Sequence, residues 1–88
     1  MLAWQVLYEG YGLVVGGKSH EFSIFGFIMA KDLGDLDRQV TRIVMAHPTI
    51  MQHEGDRSSL VFNPHEIYER PDLGVLVTED LEIELESK

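Results

Sequence analysis

Residues 21–30, EFSIFGFIMA, constrain this chain more than any other segment. At period two, Phe22, Ile24 and Ile28 fall on one face, and Phe25, Phe27 and Met29 fall on the other. A strand apolar on both faces belongs at the centre of a sheet, with cover on its second side from another layer or another subunit. That demand is hard to meet in a chain of 88 residues without cysteine. A domain of this size buries a modest core and has no disulfide to support it. One domain over residues 1–88 is therefore expected, built round this segment. Gly26 at its middle permits a bulge or a close backbone approach.

The flanking sequence supplies partners for such a strand. Residues 2–9, LAWQVLYE, alternate as a strand, with Trp4, Val6 and Tyr8 on one face and Ala3, Gln5, Leu7 and Glu9 on the other. Leu13–Val15 continues the β pattern, and Gly10 and Gly12 mark a turn or a bulge between the two pieces. Gly16-Gly17-Lys18-Ser19-His20 is a hairpin turn signal. It does not match a phosphate-binding loop, which needs G-x-x-x-x-G-K-[ST] leading into a helix.

A helix is expected over about 35–47. Asp35 suits its N-cap, and Leu36, Val40, Ile43, Val44 and His47 share one face. Pro48 bounds it, and residues 48–57 read as a loop with Ile50 and Met51 tucked under. Ser58–Phe62 reads as a short strand. Asn63, Pro64 and Glu66 then carry N-cap, N1 and N3 signals, which predict a short second helix near 64–70. Val75–Thr78 and Leu81–Glu86 read as strands straddling Glu79-Asp80. The alternation of Leu81-Glu82-Ile83-Glu84-Leu85-Glu86 is the sharpest period-two signal in the chain. Leu73, Val77, Leu81 and Leu85 also sit four apart, so a helix is the alternative, but helical phasing leaves Leu76 and Ile83 off the stripe and favours a strand. The expected fold class is α+β: a small antiparallel sheet of four or five strands packed against one main helix.

Chemistry is sparse. His20, His47, His53 and His65 include no pair at helical i, i+4 spacing, and no segment matches a calcium loop. No metal or cofactor is expected. No serine sits in a G-x-S-x-G elbow, and Asn63–Glu66 is explained by helix capping alone, so the chain is not expected to be an enzyme. A small enzyme or ligand-binding domain using His and Glu residues stands as a distant alternative. The start of the chain lacks a basic n-region, and no run approaches the ~20 apolar residues of a membrane span. A soluble, cytoplasmic protein without a membrane partner is the expectation.

Charge carries the remaining information. The formal net charge is −8, which argues against direct nucleic-acid binding. The surplus is uneven: residues 66–88 hold eight acids and two bases, residues 1–65 seven acids and five bases. On a strand, Glu82, Glu84 and Glu86 point the same way at a spacing of about 6.8 Å. With Glu79 and Asp80 they form a candidate surface for a protein partner with a basic face. In size and charge the chain is similar to small phage-encoded inhibitors, such as anti-CRISPR proteins, and to toxin-immunity proteins; no motif carries that likeness. A small acidic protein-binding module is the leading expectation. Self-association through Phe25 and Phe27, giving a homodimer or an assembly protein, is the second.

Overall fold

The computed structural model describes residues 1–74 and 79–86. Two long strands, β1 (Leu2–Val15) and β2 (Lys18–Ala30), form an antiparallel hairpin. Gly16 and Gly17 close it with φ of 62° and 75°, the left-handed pair that a two-residue turn between right-twisting strands requires. The Gly10–Leu13 region resolves as a register shift inside one continuous strand. Helix α1 (Leu33–Ala46) follows, then a single helical turn, α2 (Pro48–Met51), and a 3₁₀ turn at Arg57–Ser59. Strand β3 (Val61–Glu69), a second 3₁₀ turn at Pro71–Leu73 and strand β4 (Asp80–Leu85) complete the described chain.

All strand pairings are antiparallel, in the spatial order β3-β1-β2-β4. The expected α+β class is borne out, with the two-faced apolar strand in the middle of the sheet. One side of that sheet carries α1. Tyr8, Phe22, Ile24 and Ile28 meet Leu36, Val40, Val44 and Ile50 there, each at most 1% exposed. Burying a side chain of this size stabilises by roughly 1.5–3 kcal/mol. The polar tips inside this layer have partners. Trp4 Nε1–H donates to the Ala30 carbonyl at 3.1 Å, and Tyr8 Oη–H donates to Asp37 Oδ1 at 3.2 Å. Burial, reinforced by the negative charge of Asp37, pushes the Tyr8 hydroxyl well above the ordinary tyrosine range.

Several expectations are corrected. The helix starts at Leu33, two residues before the expected 35, because Asp32, not Asp35, is its N-cap: Asp32 Oδ1 accepts the Asp35 N–H at 2.8 Å. Asp35 lies inside the first turn, buried, and its carboxylate accepts the Lys31 N–H at 2.9 Å. Residues 64–70 are not a helix. Pro64 and Glu66 lie within β3, and the short second helix lies instead at Pro48–Met51. Too few residues separate Pro64 from Pro71 for helical bonds to outweigh pairing along β1. An edge strand tolerates Pro64, and the register shift beside it, opposite Leu7/Tyr8, absorbs the misfit. The strand expected at Ser58 begins at Val61. Ile50 is buried as expected, but Met51 is exposed. The strand expected at 75–78 lies outside the described residues.

The segment after α2 is tied to the hairpin. Val14 N–H donates to His53 Nδ1 at 3.0 Å, and Glu54 N–H donates to the Val14 carbonyl at 2.9 Å. The Glu54 carboxylate accepts the N–H groups of Gly16 and Gly17 at 2.7 and 3.0 Å. A carboxylate on two turn amides is a charge-assisted pair, stronger than a neutral one.

Candidate docking face

The side of the sheet opposite α1 is where the candidate residues gather. Strand register arranges them in cross-strand rows. One row runs Glu66, Leu7, Phe25, Glu82 across β3, β1, β2 and β4. The next runs Tyr68, Gln5, Phe27, Asp80. A third runs Asn63, Glu9, Ser23, Glu84. Strands lie ~4.8 Å apart and same-face residues about 6.8 Å apart, so these side chains are neighbours on one surface.

Leu7, Phe25 and Phe27 form an apolar cluster on its central strands, and Asp80, Glu82 and Glu84 make the β4 flank acidic. Leu7, Phe25 and Phe27 are half-buried, while Tyr68 is 53% exposed. The core helices pack on the other side, and Arg70 closes one end of this one. The Arg70 guanidinium stands 5.9 Å from the Phe27 ring centroid, within cation–π range. Gln5 Oε1 at 2.7 Å and a paired contact to Asp72 at 2.8 and 3.0 Å hold it there. That pairing raises Arg70 and lowers the Asp72 carboxyl relative to their ordinary values.

Phe25 and Phe27 on one hand, and Asp80, Glu82 and Glu84 on the other, therefore belong to one surface rather than two. Asp80, Glu82 and Glu84 are exposed, and among the described residues nothing pairs with their carboxylates. The other two acids of the candidate set are engaged within the chain. Glu79 accepts from Arg42 Nη2 and from the Met29 N–H, both at 3.4 Å, which ties the start of β4 to the helix. Glu86 accepts from Ser23 Oγ at 3.1 Å. Glycine 26 makes the junction possible. A Cβ there would collide with the Asp80 carbonyl, and its φ of 146° disfavours any other residue.

Gln5, Leu7, Glu66, Tyr68 and Arg70 share the surface without having been singled out in the sequence. The alternation of residues 2–9 already placed Gln5 and Leu7 on the second face. Glu66 and Tyr68 were hidden by the capping signals at Asn63 and Pro64. Between the two innermost rows lies a cavity of about 270 Å³ lined by Gln5, Leu7, Phe25, Phe27, Glu66 and Tyr68. No cluster of three His, Asp or Glu side chains in metal-holding geometry occurs among the described residues, and none of their helices is long and apolar enough to cross a membrane. Compared with family models, curated proteins and solved structures, the chain matches none.

Proposed function

We propose that this protein is a binding module that meets a basic surface of a partner protein with the helix-free face of its sheet. The observation that carries the reading is the register Phe25↔Glu82 and Phe27↔Asp80, which sets an apolar centre beside unpaired carboxylates. Apolar centres ringed by charge are the usual anatomy of a protein interface. The flanking carboxylates favour encounter with a basic partner and penalise an acidic one. An inhibitor that occupies a basic site is the form of this function that its size and charge fit best.

The same charges disfavour a second copy of this chain. Each protomer carries −8, and its Arg70 on this face is already paired with Asp72. Apposed copies would bring carboxylates against carboxylates.

The test is affinity capture from the native host with the wild-type chain and with a Glu82→Lys/Glu84→Lys variant. A partner held by the wild type, released by salt and not held by the variant supports the proposal. Capture of the same partner by both chains overturns it.

A further inference from the structure

Resting on that docking reading, we propose that the cavity between Leu7, Phe25, Phe27 and Tyr68 receives an arginine side chain of the partner. At about 270 Å³ the cavity has room for one long side chain. Its walls are aromatic and aliphatic, and the exposed carboxylate of Glu66 stands at its edge with no partner among the described residues. A purely aliphatic guest would satisfy the walls and leave that carboxylate unused. An anion would be repelled. A guanidinium satisfies both, because it stacks on ring faces and pairs with a carboxylate through two parallel N–H bonds. Its methylene stem packs along apolar surface on the way in.

The protein already shows this chemistry beside the cavity. Arg70 holds its guanidinium over the Phe27 ring while pairing with a carboxylate, Asp72. Arg70 does not line the cavity, which remains open next to it. A partner arginine would repeat the arrangement on Phe25 and Tyr68, with Glu66 in the role of Asp72. Glu82, directly opposite Phe25, adds attraction at the far side.

Arginine methylamide is the test ligand, followed by backbone amide NMR shifts in the full chain. Citrulline methylamide, its neutral isostere, is the control. The expected result is saturable shifts at residues 5, 7, 25–27, 66 and 68 with the arginine compound and none with citrulline. Glu66→Gln should weaken the binding about five-fold, as loss of one charge-assisted contact implies. Phe27→Leu should weaken it similarly while the amide spectrum stays that of a folded chain. Equal shifts with citrulline, or shifts confined to Asp80, Glu82 and Glu84, overturn the cavity assignment. A parallel titration with an oligolysine peptide reads the broader docking proposal separately. Binding lost in Glu82→Lys/Glu84→Lys supports that proposal whatever the cavity does, and its persistence in the variant refutes it.

Discussion

Phe25 and Glu82 stand directly opposite each other on adjacent antiparallel strands, pointing to the side of the sheet that carries no helix. A partly exposed ring beside an exposed, unpaired carboxylate buries less apolar area than one sealed in the core. Phe25→Ala should therefore cost roughly 1.5–2.5 kcal/mol in urea unfolding. Phe22→Ala, on the same strand but 0% exposed, should cost roughly 3–5 kcal/mol. Partner affinity should show the reverse order of sensitivity. Equal stability losses for the two variants would mean that Phe25 is core.

Gly26→Ala should detach or displace β4. The added methyl would meet the Asp80 backbone, and the positive φ is strained for alanine as well. The expected loss is about 2 kcal/mol or more, with faster amide exchange across residues 80–85 than in the β1–β2 hairpin. Uniform exchange in both regions would contradict it.

The acid limb of stability should depend on Asp35. Its carboxyl lies below the ordinary carboxylate range, first because it accepts the Lys31 N–H and further because of Gln39 and Arg38. A lowered native pKa favours the ionised form in the fold. Its contribution is then complete above the unfolded value of about 3.9 and is lost as pH falls through the lower native value. The gap in urea midpoint between wild type and Asp35→Asn should hold steady near neutrality and narrow below about pH 4. A gap independent of pH would show that Asp35 acts without its charge.

His53→Ala should loosen the hairpin tip. It deletes the acceptor for Val14 N–H, and the loss of one such bond, about 1 kcal/mol, corresponds to roughly five-fold less protection. Hydrogen exchange at Val14 reads this directly. Glu54→Ala should act likewise on the amides of Gly16 and Gly17. Unchanged exchange at these amides would show that the tether carries no stability.

Legibility in the sequence followed the source of each signal. The two faces of 2–9 and 21–30 were readable because strand alternation is a direct consequence of backbone geometry. So was β4, whose Leu81, Ile83 and Leu85 alternate with glutamates. The strand at 61–69 was not readable. Asn63, Pro64 and Glu66 carry strong local helix-start signals, and only pairing with β1, distant in sequence, overrides them. Asp35 suited the cap by residue type, but so does Asp32 three residues earlier, and its carboxylate takes the Asp35 N–H. The acids and the phenylalanines were each visible as separate features. Their union was not, because strand order, rather than any local pattern, makes β2 and β4 neighbours.

Both borders of the sheet discourage a visiting strand. Pro64 and the register shift blunt β3, and the acidic side chains of β4 repel another copy of themselves. A partner that avoids these borders gains no ladder of main-chain bonds, which would be indifferent to its sequence. Under the proposed docking function, such a partner would be recognised side chain by side chain. Recognition of that kind would change in single-residue steps while the fold beneath stays the same.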